Sequence, residues 1–383
     1  MKKTALAITI ICLGLHLGAT PALAQLGGLL SKAGKAKDAA DKAKTLMISD
    51  ADERKLGEEI STLLIDRFGV YQDAGVTKYV SLVGNVLAQA GTRPTLDWQF
   101  IVLDTDGVNA YAAPGGLIHI TRGALGLIKT EAELAGVLGH EITHVTAKHT
   151  VSAIKQSAAT TIGTDLAADR AGGLAGSAIK RLGGAGFNML YNGAFSRDDE
   201  MESDKVGIAL ASKVGYAPGG MIGVLTKIAD RNKDQKEPNG WFASHPQIKE
   251  RIEAMEKQIK KDKLNSTATA AARYASTITF DVKPTAVIAT IAPGERGLAG
   301  ATEPAKDDKA AKDEKAKTEE PKKKGFGLAR LTGGSQAQQT ATVASAGSRG
   351  VGPDRDAVGG SNKGRIRVTL TAAELEAFKK GIV

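Results

Sequence analysis

The chain has 383 residues, of which 42% are hydrophobic and 45 are glycines, so one or two packed domains joined by looser segments are expected. The formal net charge is +9, but no basic stripe interleaved with aromatic residues appears, which argues against a nucleic-acid-binding protein. The single cysteine, Cys12, lies in an N-terminal apolar stretch, so no disulfide framework is expected.

Residues 1–24 are typical of a secretory signal peptide. Two lysines precede an apolar stretch over residues 5–19, and residues 22–24 have the small-x-small pattern of a cleavage site. Gln25 would then be the first mature residue, and the destination would be the periplasm of a bacterial envelope. Two alternatives stay open: an uncleaved N-terminal anchor, or lipidation at Cys12, although a bulky residue precedes that cysteine.

Residues 25–48 are rich in Gly, Ala and Lys and predict a linker or a loosely attached helix. A lysine-rich helix can also contact anionic lipid, so peripheral membrane association is an alternative to an ordinary solvated face. From Ser49 the apolar residues recur at helical spacing. This pattern predicts a helix capped by Ser49 and a second helix over residues 76–90.

Three short strands are predicted next, over residues 98–103, 109–113 and 117–121. The last two are separated by a Pro-Gly-Gly turn. His119 is the only histidine in this small sheet, and we interpret it as a sheet-face side chain rather than a catalytic group.

Residues 130–149 predict the helix around which the chain is organised. Thr130 and Glu133 have the spacing of an N-terminal capping box. An apolar stripe follows at helical spacing, formed by Leu134, Leu138, Ile142 and Val145. His149 continues this stripe, and we interpret it as a helix-end side chain rather than a ligand.

The same helix carries the HExxH pattern, with His140, Glu141 and His144. Two histidines four residues apart lie on one helix face, at the spacing that binds one zinc ion. Glu141 lies close enough around the helix to reach a water molecule at the metal without being a ligand. A carboxylate there can accept a proton from that water. The pattern therefore predicts a hydrolase with one zinc ion per chain.

Residues 156–194 are rich in Gly and Ala, which predicts either a mobile lid near the site or ordinary packing of small-residue helices. A further helix is predicted to begin at Ser196, with Asp199 at the box position. Glu200 and Asp204 share a face of that helix. The first could complete a His₂Glu zinc site and the second could orient a ligand histidine, but a solvated acidic face fits the spacing equally well.

After residue 263 the composition changes. Residues 264–300 predict a short β-rich extension with strands over 276–282 and 286–291, and residues 301–363 predict a disordered linker. Residues 364–383 predict a small tip in which a strand over 365–370 precedes a helix capped by Thr371, with no indication of where it docks.

These motifs together resemble the HtpX-like zinc metallopeptidases, and most of all their soluble periplasmic members. The resemblance rests on residues 109–116, the HExxH helix, residues 196–204 and residues 244–246, and covers about residues 49–260. It implies a zinc metallopeptidase domain over residues 49–263. The fold would be a mostly helical, zincin-type α+β fold with a small β-sheet and a flexible C-terminal extension.

The resemblance also assigns roles. It makes Glu200 the third zinc ligand beside His140 and His144, with Asp204 supporting the site. Arg197, near the start of the same predicted helix, is a further candidate for a supporting role. The resemblance makes the strand of Asn109, Ala110, Tyr111 and Ala112 the edge along which substrate lies.

His245 stands in a Ser-His-Pro sequence at a helix start, where a lone histidine is usually a turn residue. The resemblance favours an active-site role, and two remain open. The imidazole could donate a hydrogen bond to the oxyanion that forms during hydrolysis. It could instead occupy the open position of zinc and inhibit the enzyme.

The expected function is a zinc-dependent endopeptidase of the bacterial envelope, and the resemblance implies unfolded or misassembled envelope proteins as substrates. One alternative is a zinc-stabilised chaperone or assembly factor, which Glu141 argues against because structural zinc needs no base. A weaker alternative is an envelope scaffold whose C-terminal tip binds a partner.

Overall fold

A computed structural model describes residues 48–161, 176–233, 244–284 and 364–382, without the side chains of residues 157–161. The predicted signal peptide, almost all of residues 25–48 and the predicted linker over 301–363 lie outside this description. No helix of the described part is long and apolar enough to cross a membrane.

The described residues form a mostly helical α+β fold with one small sheet. The elements up to the sheet are α1 (Asp50–Phe68), α2 (Ala74–Ala90), β1 (Gln99–Leu103), β2 (Ala110–Ala113) and β3 (Leu117–Thr121). Those that follow it are α3 (Arg122–Leu127), α4 (Glu131–Thr146), α5 (His149–Thr161), α6 (Gly176–Asn192), α7 (Arg197–Lys213), α8 (Gly220–Asn232), α9 (Ile248–Lys261), α10 (Ala271–Thr277) and α11 (Ala372–Lys380). Helix α4, the metal helix, is buried along almost its whole length among α2, α7, α8 and the sheet.

The side chains predicted to cap helices do so. Each N-cap oxygen accepts a backbone N–H from the first turn of its helix at Ser49, Thr130, Ser196 and Thr371. Reciprocal capping boxes form at the last two. At α4 only one of the two capping-box hydrogen bonds forms, because the carboxylate of Glu133 accepts the N–H of Lys129 instead of that of Thr130.

The sheet has the strand order β1-β3-β2, with β1 parallel and β2 antiparallel to β3. Strand β2 is therefore an edge strand, and it lies beside α4. His119 is fully buried in β3, where its Nε2 lies 2.7 Å from the hydroxyl of Ser61. The three strands and the sheet-face position of His119 are as the sequence predicts.

The metal helix ends earlier than predicted, so the prediction of one helix over residues 130–149 is wrong at its end. Lys148 adopts a left-handed conformation with φ of 60°, and His149 begins the next helix. The ammonium group of Lys148 lies 2.9 Å from the buried carboxylate of Glu53. The chain thus contacts α1 at a left-handed turn that helical propensity would not select.

The β-rich extension is wrong where the structure describes it. Residues 271–277 form helix α10, and neither residues 278–282 nor residues 365–370 form a strand. The apolar residues of these two segments pack singly onto the core, as Ile278 and Leu370 do, rather than pairing with a sheet edge. The strand predicted over residues 286–291 lies outside the described residues.

Candidate metal centre

Two glycines bring helices α4 and α7 close enough to share one site. A Cβ atom on Gly139 would lie 2.9 Å from the carbonyl oxygen of Gly207, and one on Gly207 would lie 2.8 Å from the backbone nitrogen of His140. Both distances are shorter than real carbon contacts allow, so only glycine permits this approach. The approach places the acidic face of α7 against the two HExxH histidines.

Four buried side chains meet at this crossing, namely those of His140, His144, Glu200 and His245. One ligand atom from each lies within 4.8 Å of the others. The two HExxH Nε2 atoms are 3.1 Å apart, and the Nδ1 of His245 lies 2.9 Å from the Oε1 of Glu200. The structure thus brings together the three predicted ligands and adds His245 to them.

The donor set fits zinc, which binds imidazole nitrogens and carboxylate oxygens in groups of four or in groups of three with one open position. Burial keeps the pKa of His144 well below its usual value, which favours the neutral imidazole that a metal ligand requires. Burial alone would raise the pKa of Glu200. The charges of His245 and Arg251 outweigh it and hold that pKa well below the usual value.

Glu141 is fully buried beside the cluster but is not one of its four donors. Neither carboxylate oxygen has a hydrogen-bond partner among the described residues, although its Oε1 lies 3.8 Å from the Nε2 of His245. Burial raises the pKa of Glu141, and the charges of His245 and His140 offset this only in part. A buried carboxylate without partners indicates a position where water or substrate binds.

Asp204 lies behind His140, on the Nδ1 side of its ring. Its Oδ1 accepts a hydrogen bond from the Nδ1 of His140 at 2.9 Å, which turns the Nε2 of that ring toward the cluster. Arg251 in turn holds Asp204 through two hydrogen bonds of 2.6 and 2.7 Å. A third nitrogen of Arg251 lies 2.6 Å from the Oε2 of Glu200.

Sequence reasoning assigned this supporting role to Arg197, which is wrong. Arg197 begins α7, and its half-exposed side chain pairs with Glu250 at the surface. The fully buried Arg251 lies in the site instead. The signal was present in the sequence, since Arg251 interrupts the apolar stripe of α9 between Ile248 and Met255.

Arg251→Met is expected to lower the free energy of unfolding by about 3–5 kcal/mol, because removing one partner leaves buried carboxylates uncompensated. Chemical denaturation of the metal-free protein measures this. Arg197→Met is the matched control, and it should cost much less because that ion pair is exposed to solvent. Equal losses for the two variants would contradict the assignment of Arg251 to the site.

His149 contacts a metal ligand, which the sequence reading did not anticipate. Its Nδ1 lies 3.1 Å from the Nδ1 of His144, and its Nε2 lies 3.3 Å from a carboxylate oxygen of Glu202. His149 is not among the four clustered donors. The contact forms because the helix break turns the start of α5 back onto His144.

His149→Ala is expected to weaken zinc binding by about 10–100-fold, since it removes the imidazole that contacts the Nδ1 of His144 at 3.1 Å. Equilibrium competition with a chelator measures this without reference to activity. His119→Ala, which removes another buried histidine from the sheet, should leave zinc affinity unchanged. A His149→Ala protein that binds zinc as tightly as the His119→Ala protein would reduce His149 to a packing residue.

A cavity beside Glu141 is lined by Ala110 and Tyr111 of β2 and by Met189 and Leu190 of α6. The ring of Phe195 also lines it and stacks on the ring of His144, with centroids 3.9 Å apart. Helix α6 packs against α1 and α5, so the described end of the Gly/Ala-rich stretch forms a wall of the cavity. Residues 162–175 lie outside the described part.

The outer edge of β2 faces this region. Asn109 accepts a backbone hydrogen bond from Thr121 of β3. Residues that bond to the partner strand alternate with residues that do not in an antiparallel pair, so the N–H and C=O groups of Ala110 and Ala112 point away from β3. The side chain of Asn109 accepts the N–H of Ala110 at 2.9 Å, and the hydroxyl of Thr150 donates to the carbonyl of Ala112 at 2.8 Å.

Comparison of the sequence with known proteins finds one family profile and several relatives. Residues 76–259 match the sequence profile of peptidase family M48. The beta-barrel assembly-enhancing protease of Yersinia pestis is 28% identical over 208 residues, which cover 51% of this chain and 41% of that protein. The mitochondrial metalloendopeptidase OMA1 of Schizosaccharomyces pombe is 28% identical over 186 residues, covering 48% of this chain and 53% of that protein.

Metalloprotease LoiP of Escherichia coli is 30% identical over 159 residues, covering 40% of this chain and 60% of that protein. The chain thus spans about half the length of the relatives it matches. The matched residues 76–259 include all four clustered donors and Glu141. The family profile and the buried HExxH cluster agree, and residues 76–259 therefore form a peptidase M48 domain, the domain of zinc-dependent metallopeptidases.

Proposed function

We propose that this chain is a zinc-dependent endopeptidase of the bacterial envelope that hydrolyses peptide bonds in misfolded or misassembled envelope proteins. The observation that carries the proposal is the buried carboxylate of Glu141, which lies beside three predicted zinc ligands and lacks hydrogen-bond partners among the described residues. A purely structural zinc site would have no use for such a group.

Each residue of the centre has a task in this reaction. His140, His144 and Glu200 would hold zinc, which when bound polarises the scissile carbonyl and acidifies water. Glu141 accepts a proton from the attacking water and passes a proton to the leaving amine. Asp204 holds His140 in the tautomer that turns its Nε2 toward the cluster.

The substrate would lie along β2 as an added strand. The carbonyl of Ala110 and the N–H of Ala112 face outward, and no described residue hydrogen-bonds to either. One residue of an extended peptide can pair with both groups. Because backbone pairing is independent of side chains, unfolded chains suit this edge better than folded proteins, which supports the proposed substrate class.

His245 is the residue whose role is most open. Its Nδ1 lies among the four clustered donors, 3.3 Å from the Nε2 of His140. A fourth protein ligand would close a site that catalysis needs open. This geometry favours the role of an inhibitory ligand that must leave before substrate enters, over the role of an oxyanion donor.

The location in the envelope rests on the sequence of residues 1–24 and on the printed name of the Yersinia pestis relative, a beta-barrel assembly-enhancing protease. We infer secretion to the periplasm, with the lysine-rich residues 25–48 available for contact with anionic lipid. That relative's name also favours a second candidate, an assembly factor for envelope proteins with little proteolytic activity.

The test is cleavage of a urea-unfolded outer-membrane β-barrel protein by the purified chain. The proposal predicts fragments that disappear when a chelator is added and return with zinc. If the chain instead suppresses aggregation of the unfolded protein without cutting it, and does so equally in the Glu141→Gln variant, the assembly-factor function replaces the proposed one.

A further inference from the structure

The C-terminal segment, residues 364–382, has a defined place on the domain. Its helix α11 packs against α2. Leu375 and Ile382 of this segment are buried in the main core, and Phe378 packs against the same core. The segment therefore docks on the domain through an apolar face, although it is separated in sequence from the rest of the described chain.

Ion pairs fix the orientation of the docked segment. The carboxylate of Glu374, in the first turn of α11, lies 2.7 Å from the ammonium group of Lys78 on α2. At the start of the segment, a guanidinium nitrogen of Arg365 lies 2.6 Å from the carboxylate of Glu58 on α1. Opposite charges thus meet at two separate points, which selects one orientation over the reverse.

A buried carboxylate connects the docking surface to the metal helix. Glu131, the first residue of α4, is fully buried and accepts hydrogen bonds from the hydroxyls of Tyr79 and Tyr216. Burial and the charge of Glu131 raise the pKa of both tyrosines, so both are neutral donors. Arg273 of α10 bonds the same carboxylate through its Nε at 2.6 Å and supplies the compensating positive charge.

Phe378 of the C-terminal segment covers this ion pair. The guanidinium carbon of Arg273 lies 4.2 Å from the centre of the Phe378 ring, and the same ring meets Tyr79 edge to face at 6.1 Å. A cation held over an aromatic ring is stabilised, and exclusion of water strengthens its attraction to Glu131. Removal of the ring would expose the pair that anchors the start of α4.

We propose that the surface formed by α2 and α10 is a peptide-binding site for the chain's own C-terminal segment, and that its occupation holds the first turn of the metal helix in place. The segment is joined through residues 285–363 and so binds as a tethered peptide, at a local concentration set by that connection. The proposal concerns binding and protection of α4, and it stands whether or not the chain cleaves substrates.

Hydrogen exchange of the full-length protein tests the link to the metal helix. Phe378→Ala should speed exchange in the first turns of α4 by about tenfold, because local opening becomes easier. Glu376→Ala, a change on the exposed face of the same helix, should leave that exchange unchanged. Identical exchange in the two variants would overturn the proposal.

Reversing the charges of the Lys78–Glu374 ion pair gives a second test with little risk to folding, because this pair is partly exposed. Lys78→Glu should speed exchange in α4, and adding Glu374→Lys should restore the slow exchange. If the double variant exchanges as fast as Lys78→Glu alone, the segment does not act through this contact and the proposal fails.

Binding is tested with a fluorescent peptide of residues 364–383 added to the full-length proteins. The peptide should bind the Phe378→Ala protein, whose own segment is weakened, and should be excluded from the wild-type protein. A peptide that itself carries Phe378→Ala should bind about tenfold or more weakly, as expected for loss of an aromatic anchor. Absence of binding to the Phe378→Ala protein, or equal binding to both proteins, would contradict the site.

Discussion

Glu141→Gln is expected to lower the rate of peptide-bond hydrolysis by about 10²–10⁴-fold, the usual cost of losing a general base. Zinc content should stay at the wild-type level, because Glu141 is fully buried beside the cluster without being one of its four donors. Glutamine keeps the size of the side chain but cannot accept the proton. Steady-state cleavage of an unfolded protein, with elemental analysis of the same samples, measures both quantities.

Glu200→Gln is the matched control for this prediction, since it makes the same chemical change one helix away. It should weaken zinc retention, because the carboxylate of Glu200 lies 3.4 Å from the Nε2 of His144 within the donor set. Equal loss of zinc in both variants, or normal cleavage by Glu141→Gln, would show that the two roles are assigned wrongly.

His245→Ala is expected to raise cleavage activity. Its Nδ1 lies among the four clustered donors, and a complete set of protein ligands leaves no position open for the reaction. If the closed form is about ten times more populated than the open form, its removal increases activity by about tenfold. Self-cleavage of the purified variant should increase in parallel, and both are measured by gel analysis over time.

The opposite result would assign His245 the other role. A fall in rate of about 10²–10³-fold, with zinc affinity unchanged, is the result expected for an oxyanion donor. A variant that matches the parent in rate, zinc affinity and self-cleavage would return His245 to an ordinary turn residue.

Local sequence patterns were sufficient for the parts of the site that depend on one helix at a time. The spacing of His140 and His144 needs only helical periodicity, and the capping side chains at Thr130 and Ser196 act within their own first turns. Helix spacing and helix caps need no knowledge of which helices meet. The edge position of the strand over Ala110–Ala113 came instead from the family resemblance.

The features that were missed depend on contacts between distant segments. The turn that ends α4 carries Lys148, which pairs with Glu53, nearly a hundred residues away in sequence. The choice of Arg251 over Arg197 depends on how α9 packs against α7. In sequence the two arginines differ only in that Arg251 lies within the apolar stripe of α9, and the structure shows that Arg251 is the buried one.

The C-terminal region illustrates the same limit. The helix of the tip was predicted from Thr371 and its capping box, which is local. The docking site of this helix was not predicted, because Tyr79 and Arg273 form a binding site for Phe378 only once α2 and α10 pack together. The predicted strand over residues 276–282 was wrong, because an alternating apolar pattern is compatible with packing on the core as well as with pairing of β-strands.

The central claim is that one zinc ion, held by His140, His144 and Glu200, makes this chain a peptidase. The most direct measurement is to remove the metal, add zinc in increments, and follow bound zinc together with cleavage of an unfolded protein. Activity should be absent at the start, rise in proportion to bound zinc and level off at about one ion per chain, as a single catalytic site requires. Cleavage by the metal-free protein, or no cleavage once one zinc ion is bound, would contradict the account.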